Sequence, residues 1–313
     1  MFQNYFKTAI RRLSRNRSYT ILNIAGLAVG IAVCLLIFFV IQFHRSFDSF
    51  HPNKNRTFRV LTEYHDEANI AYGKDVPFPM PMALKTAFPQ AEQVAPIFAS
   101  QNDQLLVPDS NGTIVKKFKE ERGVFFTEPS FFTMFDFPLL AGSYASLKNP
   151  NNVLLTKEIA EQYFGDWKAA MGKTIHLEAG GYLFEHGTEL LNVSGILATI
   201  PANTDFQMKI VVSYGTGFTG TLMAKSTDWQ DRTNTGFGCY VLLSPTASVD
   251  NVNQQLRAYS RKMQAADNKD SHILQPLSEV HYDTQTGNYS NKSISHELLN
   301  VLWLIAAFIL LVA

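Results

Sequence analysis

Apolar residues are concentrated in two stretches of this chain, with a long region of mixed composition between them. The first run, Ile21 to Phe43, contains no charged side chain, and only Asn23 and Gln42 near its ends are strongly polar. At about 1.5 Å per residue, a helix of this length measures roughly 34 Å, enough to cross a bilayer core of about 30 Å. The second run covers Val301 to Ala313. The pattern predicts a membrane helix, a large polar domain and the opening of a second membrane helix.

The residues ahead of the first apolar run indicate its orientation. Apolar side chains recur at helical spacing from Phe2 to Leu13, which predicts an amphipathic helix on the membrane surface, with a soluble helix as the alternative. No acidic residue precedes Asp48, whereas five cations precede the run: Lys7, Arg11, Arg12, Arg15 and Arg17. By the positive-inside rule, these topology-setting residues place the N-terminus in the cytoplasm and the middle region outside it.

The first apolar run also carries a pattern typical of helix packing. Gly26 and Gly30 form a Gly-x-x-x-Gly motif that would let another helix approach closely, and we predict both as helix-packing residues, with chance as the alternative. The run is longer than a signal-peptide core and no small-residue cleavage site follows it, so we expect an uncleaved anchor. Neither apolar run contains Asp, Glu, Lys, Arg or His, which argues against an ion path through the helices.

Helical and strand patterns are interspersed along the middle region. Capping residues, glycines and prolines separate the segments, and a Pro-Asp-Ser-Asn-Gly run at 108–112 predicts a hairpin. Helices are predicted at 82–88, 129–135, 157–164 and 249–264, and strands near 55–61, 104–107, 113–118, 123–127, 152–156, 174–178, 191–200, 208–214, 238–244 and 273–277. This interspersion predicts a mixed α/β (α+β) domain with mixed sheets.

Composition and motifs argue against several functions. The chain has 27 basic and 27 acidic residues, which gives no support to nucleic acid as a partner. Its eight histidines are scattered and no Cys-x-x-Cys occurs, so no zinc site is predicted. The run Gly215–Gly220 matches Gly-x-Gly-x-x-Gly, but the stretch after it is polar and does not read as a helix, and Tyr240 stands about twenty residues on, where an acidic residue is required. A flexible loop is therefore favoured. Likewise, Lys173-Thr174 lacks the first glycine of a phosphate-binding loop. We therefore predict no catalytic, cofactor-binding or metal site.

Several motifs, taken together and in this order, resemble those of the N-terminal half of a MacB/FtsX-type ABC transporter permease, in the form common among Bacteroidetes. Each motif is modest alone, and together they cover nearly the whole chain. They are Asn4–Lys7, Arg15–Tyr19, Asn23–Leu27 with Gly30, Phe47–His51, Arg56–Val60, Leu154–Lys157, Tyr163–Asp166, Gly195–Leu197, Pro201–Asn203, Gln275–Leu277 and Val280–Tyr282, followed by the second apolar run.

The resemblance implies a transporter subunit that is not itself an enzyme. In this family, a partner ATPase hydrolyses ATP, and the permease helices transmit its motion to a periplasmic domain acting on substrates such as antimicrobial peptides or lipoproteins. It implies an inner-membrane location and no cofactor on this chain, since ATP binds the partner. The implied partners are an ABC ATPase subunit and the lipid bilayer, and in related systems a second copy, a periplasmic adaptor or an outer-membrane channel.

The resemblance also suggests a division of the chain. We predict a cytoplasmic amphipathic helix at 1–18, a transmembrane helix at 19–43, a periplasmic core domain at 44–297 and the start of a second transmembrane helix at 298–313. The core domain would contain two subdomains, porter and sabre, with the inserted sabre-like part at about 101–199. Because the second apolar run breaks off, we expect a fragment of a longer permease. A membrane-anchored extracytoplasmic sensor or receptor, or a membrane-anchored periplasmic enzyme, remains the alternative.

Overall fold

The structure is a computed structural model, which describes residues 5, 11, 15–65, 69–179, 184, 187–216, 227, 229 and 236–312. The helices in these ranges are α1 (Arg17–Arg45), α2 (Met80–Ala87), α3 (Pro129–Met134), α4 (Lys157–Phe164), α5 (Val249–Met263), α6 (Leu277–Val280) and α7 (His296–Val312). The strands are β1 (Thr57–His65), β2 (Ile70–Gly73), β3 (Ala91–Pro108), β4 (Ile114–Thr127), β5 (Leu139–Gly142), β6 (Asn152–Thr156), β7 (Thr174–Glu178), β8 (Thr188–Leu197), β9 (Ile210–Ser213), β10 (Phe237–Leu243) and β11 (Ser271–Pro276).

The chain divides into two compact units: a helical unit, Met1–Ser46 with Ile294–Ala313, and a domain unit, Phe47–Ser293. In the helical unit, α1 has 29 residues and is about 44 Å long, and it is the one described helix long and apolar enough to cross a membrane. The shorter α7 packs antiparallel to it, with the rings of Phe38 and Trp303 6.4 Å apart and Cys34 Sγ 3.4 Å from the carbonyl oxygen of Ala306.

The domain unit is built on a mixed sheet in which β3 is the central strand. The strand order is β11-β1-β10-β3-β4-β9-β6-β8-β5, with β2 paired to β1. The β4–β9 and β6–β8 pairs are parallel and the other pairs antiparallel. The first part of the 18-residue β3 pairs with β10, and its second part pairs with β4 and β7. The predicted start of the sabre-like part, residue 101, falls within this strand at a register shift after Ser100.

Six of the described strands close into a ring. The pairing runs β3-β4-β9-β6-β8 and returns through β7, which pairs with β8 along its length and with β3 at Gln104–Leu106. Closure leaves alternate side chains of each strand pointing to the inside, where they form one core. This core includes Leu105, Val107, Val124, Phe126, Val153, Leu155, Ile175, Leu177, Leu191, Val193, Ile210 and Val212.

Two further cores lie outside the ring, and β10 contributes to both because its side chains alternate. Tyr240 and Leu242 join a cluster rich in phenylalanine from α3 and the segments around it. Cys239, Val241 and Leu243 join the third cluster, which also includes buried residues of α2 and α5. The sheet is therefore packed on both faces, and the predicted N-terminal apolar helix and mixed α/β domain are confirmed.

Local signals predicted several elements closely. The strand 152–156 and the helix 157–164 have the predicted bounds, and Gly165 ends the helix with φ +84°. The hairpin forms as predicted, with Asp109 Oδ1 accepting hydrogen bonds from the N–H groups of Asn111 and Thr113. Thr156 is the N-cap residue of α4, but its side chain makes no capping hydrogen bond. Met263, the last residue of α5, is exposed.

The pattern missed the first half of β3, where Pro96 interrupts the run of strand-forming residues. Proline cannot donate to a strand ladder, so it is expected only at edges and irregular positions. Here, no residue of β4 is paired with Pro96, because the β3–β4 ladder begins at Ile97, so the missing N–H leaves no strand acceptor unpaired. The carbonyl oxygen of Pro96 accepts a hydrogen bond from Thr127 Oγ1 at 2.6 Å. The short elements β2, β5 and α6 were also missed.

A buried carboxyl group in the ring should make stability depend on pH. Asp103 is fully buried in β3 opposite Glu120 of β4. Its Oδ1 accepts a hydrogen bond from Ser100 Oγ at 2.6 Å, and its Oδ2 has no partner in the described part of the chain. Burial raises the pKa of Asp103 from 3.8 to about 6, and the charge of Glu120 acts in the same direction.

We expect Asp103→Asn to stabilise the protein at pH 7. Because the folded-state pKa lies above the ordinary value, the folded state binds the proton more tightly, and stability falls as pH rises from 3.8 to about 6. Removing the charge should raise the free energy of unfolding by about 1–3 kcal/mol at pH 7 and flatten this dependence. Urea unfolding at pH 4 and pH 7 measures both, with the exposed Asp267→Asn as control. A variant no more stable than the parent at pH 7 would contradict the assignment.

Candidate functional site

The residues just after α1 and those shortly before α7 in sequence meet inside the domain unit. Both segments are held by the loop between β8 and β9 through buried polar side chains. We call this group the Asp48–Asp205 cluster, and its members are Asp48, His51, Thr204, Asp205, His281, Asn288 and Ser290. Six of these side chains are buried, and Ser290 is half-buried.

Asp48 joins the first segment to this loop. Its backbone has φ +49°, a conformation that suits few residues other than glycine and asparagine or aspartate. The Asp48 carboxylate accepts hydrogen bonds from Thr204 Oγ1 and, at 3.1 Å, from the backbone N–H of Asp205. Its own N–H donates to the carbonyl oxygen of Asn203 at 3.0 Å. Side chain and main chain of Asp48 thus both attach to the same loop.

His51 supports Asp48 as a neutral ring. The backbone N–H of Asp136 donates to His51 Nδ1 at 3.0 Å, so this nitrogen is the acceptor. The remaining proton is therefore on Nε2, which lies 3.2 Å from Asp48 Oδ1 and donates to it. This geometry fixes the tautomer and gives the buried carboxylate a donor without adding a charge.

Asp205 joins the loop to the second segment. Its Oδ1 accepts from Asn288 Nδ2 at 2.9 Å and Ser290 Oγ at 2.8 Å, and it lies 3.2 Å from His281 Nδ1. The ring of His281 stacks on Phe47, with the centroids 3.5 Å apart. Asp205 Oδ2 has no hydrogen-bond partner among the residues that the structure describes. The second segment is therefore bonded to the loop and packed against the first.

A second buried group surrounds Arg59 of β1, which is 1% exposed. Its guanidinium donates to Gln275 Oε1 at 2.6 and 3.0 Å, to Thr286 Oγ1 at 2.7 Å and to the carbonyl oxygen of Gly287 at 2.6 Å. Asp283 Oδ2 lies 3.5 Å from Arg59 Nη2. Together these five residues form the Arg59 cluster, which ties β1 to β11 and to the segment before α7.

The pKa of Asp283 shows how the Arg59 cluster stabilises charge. Burial alone would raise this pKa, but hydrogen bonds from Thr286, Gln275 and Gln285 outweigh burial and lower it. Asp283 is therefore ionised at neutral pH beside the buried guanidinium. The guanidinium of Arg59 is buried and the carboxylate of Asp283 is half-buried, and both are hydrogen-bonded to neighbouring groups, so the pair is a structural link and removing either partner is costly.

The hydrogen bonds of both clusters connect segments of the chain that are distant in sequence. Almost all of their described acceptors are occupied by donors from the protein. Within the described ranges, no three His, Cys, Asp or Glu side chains converge as metal ligands would. The role of the clusters is to hold β1, the β8–β9 loop and the segments next to the helices in one arrangement.

The structure locates some of the residues predicted from the sequence. Among the topology-setting cations, Arg11, Arg15 and Arg17 are exposed, and Lys7 and Arg12 lie outside the described residues, as does most of the predicted helix at 1–18. Gly30 is buried in the helical unit, whereas a Cβ on Gly26 would contact nothing within 4 Å. Their roles in topology and helix packing stay predictions.

Two glycine motifs are placed in turns. Gly215 follows β9 in a turn, and residues 217–220 of the same motif lie outside the described residues. Gly172 precedes β7 with φ +74°, and Thr174 starts this strand as predicted.

The sequence analysis identified the motifs around Asp48, Asn203 and His281 only by their resemblance to the family. No sequence signal indicated that they meet, because they are separated by up to 233 positions and their polar residues resemble ordinary loop residues.

Comparison with known proteins identifies the fold and the family. A solved domain of a candidate permease from Porphyromonas gingivalis is 19% identical with a TM-score of 0.55, covering 72% of this chain and 92% of that chain. The periplasmic region of MacB from Actinobacillus actinomycetemcomitans is 11% identical with a TM-score of 0.46, covering 72% and 91%. A search of curated proteins finds no match. The first of these solved structures shares the fold of the domain unit.

The sequence profile of the MacB-like periplasmic core domain matches residues 20–259. The match begins inside α1 and extends through most of α5, so it spans well over half of the chain. The predicted resemblance is thereby confirmed. The chain belongs to the MacB-like periplasmic core domain family of ABC-transporter permeases.

Proposed function

We propose that this chain is the permease subunit of a MacB/FtsX-type ABC transporter, in which a partner ATPase drives movement of the periplasmic domain. The observation that supports this most is the Asp48–Asp205 cluster. It bonds the segment that follows α1 and the segment that precedes α7 to the same buried loop of the domain unit. A displacement of either segment would therefore be passed to the domain.

The strength of these links supports transmission of force. Hydrogen bonds to buried charged groups each contribute about 1.5–3 kcal/mol, and breaking one leaves a buried group unsatisfied. The Asp48–Asp205 cluster contains two buried carboxylates: that of Asp48 bonds the first segment to the β8–β9 loop, and that of Asp205 bonds this loop to residues 281–290. The Arg59 cluster adds a further link from β1 to residues 283–287. Separating the segments from the domain is thus costlier than moving them together.

The remaining parts of the proposal follow from the family and the sequence. The chain lies in the bacterial inner membrane with its N-terminus in the cytoplasm and its domain unit in the periplasm. Its partners are an ABC ATPase and the bilayer, and a second copy, a periplasmic adaptor or an outer-membrane channel completes the assembly. Its substrates are molecules such as antimicrobial peptides or lipoproteins. No ionisable residue other than Cys34 lies in the apolar runs, which fits transmission of movement better than conduction.

Co-purification and amide exchange test this proposal. The permease is expressed together with a candidate partner ABC ATPase, and the two should purify together. Adding ATP should change amide exchange in the segments 47–51 and 281–290, because the helices pull on both. A partner ATPase unable to bind nucleotide is the matched control. A permease that purifies alone, or exchange that does not respond to ATP, would overturn the proposal and favour a sensor.

A further inference from the structure

A small cavity lies inside the domain unit, between the end of α5 and strand β11. Its volume is about 10 Å³, which is room for one water molecule and for no larger ligand. Every described residue that lines it is buried or half-buried, and the polar ones include Asp75, Gln264, Asn268, Asp270 and His272. Neither cluster described above contributes a residue to this cavity, so it is a separate feature of the domain.

His272 of β11 contributes a hydrogen-bond acceptor to the cavity. Ser260 Oγ donates its one proton to the carbonyl oxygen of Leu256 at 2.8 Å, so the 2.7 Å bond between Ser260 Oγ and His272 Nδ1 is donated by the ring. Burial lowers the pKa of His272 from 6.5 to about 4, so the ring is neutral at pH 7 and Nε2 carries no proton. This fully buried Nε2 has no hydrogen-bond partner in the described part of the chain.

Gln264, the residue directly after α5, contributes a second acceptor. Its Oε1 is buried and also has no hydrogen-bond partner among the residues that the structure describes. Neither Gln264 Oε1 nor His272 Nε2 carries a proton, so they cannot satisfy each other, and a buried acceptor without a donor is costly. The ligand that fits this cavity must therefore donate two hydrogen bonds, as a water molecule does. Asn268 Oδ1 accepts from the N–H of Asp270 at 2.9 Å, which leaves Asn268 Nδ2 as a donor to the water oxygen.

A metal ion would also be attracted by acceptors, but the carboxylates that line the cavity have partners elsewhere. Asp75 Oδ1 pairs with Lys74 Nζ at 3.0 Å, and Asp270 Oδ1 accepts from the backbone N–H of His65 at 3.1 Å. Within the described ranges, no three His, Cys, Asp or Glu side chains converge as metal ligands would. The size of the cavity and its two neutral acceptors thus favour water over a cation.

We propose that this cavity binds one structural water molecule, which donates hydrogen bonds to His272 Nε2 and Gln264 Oε1. The water connects the end of α5 to β11, two elements that both contribute to the third core. A buried water with two or three protein partners is part of the fold and is costly to remove. This site is independent of the proposed transport function, because it requires neither nucleotide nor a partner ATPase.

Nuclear magnetic resonance of the whole chain in detergent, labelled with ¹⁵N-histidine, tests the proposal. At pH 7, Nδ1 of His272 should be protonated and Nε2 unprotonated, and the ring proton Hε1 should show cross-relaxation with a bound water. A protonated Nε2, or no cross-relaxation with water, would overturn the proposal. Adding EDTA should leave the urea unfolding midpoint unchanged, whereas a shifted midpoint would assign the cavity to a metal ion.

A double-mutant cycle measures whether the two acceptors share one ligand. Gln264→Met removes Oε1 and should raise the unfolding equilibrium constant by about threefold more in the parent than in His272→Phe, where the water has already lost a partner. Gln254→Met, at an exposed position of α5, should have the same effect in both backgrounds. Equal effects of Gln264→Met in both would contradict a shared water. If His272→Phe does not fold, Gln264→Met alone decides, because it should weaken the water signal at His272, and an unchanged signal would contradict the bridge.

Discussion

Replacing Arg59 with methionine should lower the free energy of unfolding by about 3–5 kcal/mol, because it removes a buried guanidinium and leaves the acceptors around it without a donor. Methionine nearly fills the space of the arginine stem but donates no hydrogen bonds. Gln275 Oε1 and the carbonyl oxygen of Gly287 would lose their donors, and Asp283 would lose the neighbouring cation. Urea unfolding of the full chain in detergent, followed by tryptophan fluorescence, measures the change.

Two further substitutions show whether the geometry or only the charge of Arg59 matters. Arg59→Lys keeps the charge but cannot reproduce the planar fork that reaches Gln275 and Gly287 together, so we expect an intermediate loss. Arg261→Met removes an exposed arginine of α5 and should change stability by less than about 0.5 kcal/mol. Equal effects of Arg59→Met and Arg261→Met would show that the Arg59 cluster does not hold the domain together.

Replacing Asp205 with alanine should lower the free energy of unfolding by about 2–4 kcal/mol. Asn288 Nδ2 and Ser290 Oγ would lose a buried acceptor, and so would His281. These three residues belong to the segment before α7. We therefore expect this segment to open locally more often, in addition to the loss of stability of the whole domain unit. Amide exchange in residues 281–290 should therefore accelerate more than exchange in the ring strands.

Asp136 provides the matched control for this variant. Its side chain is exposed, and its contact with His51 is made by the backbone N–H, which alanine keeps. Asp136→Ala should leave both stability and exchange close to those of the parent. If Asp205→Ala accelerated exchange evenly over the whole domain unit, the local link between the two segments would be refuted, and the main support for transmission of force would be lost.

Much of the secondary structure follows from local chemistry. The helix at 157–164 begins after Thr156 and ends at Gly165 because proline, glycine and polar residues act through the backbone of their immediate neighbours. The hairpin after Pro108 likewise needs only Asp109 and Gly112. These local rules do not predict the first half of β3. Pro96 disfavours a strand there, and its carbonyl oxygen is paired only through a contact with the distant β4.

The candidate sites depend on contacts that local patterns do not encode. Asp48 and Thr204 are 156 positions apart, and Arg59 and Gly287 are 228 apart. The sequence around Asp205 is typical of an exposed loop. In the structure, Asp205 is fully buried and its carboxylate contacts three residues. Among the described strands, β3 lacks a partner on one side before Ile97 because β4 ends at Thr127, and no local pattern in the sequence shows where that pairing stops.

By itself, the sequence determined that this protein has a helix able to span a membrane, a mixed α/β domain and the motifs of its family, because helix length, side-chain periodicity and short motifs are local properties of the chain. Only the tertiary structure decided that six of the described strands close into a ring, that Asp48, Asp205 and Arg59 join the segments next to the two helices, and where the pairing of β3 with β4 begins. These features depend on which distant strands pair, and pairing is selected by the packing of the whole domain.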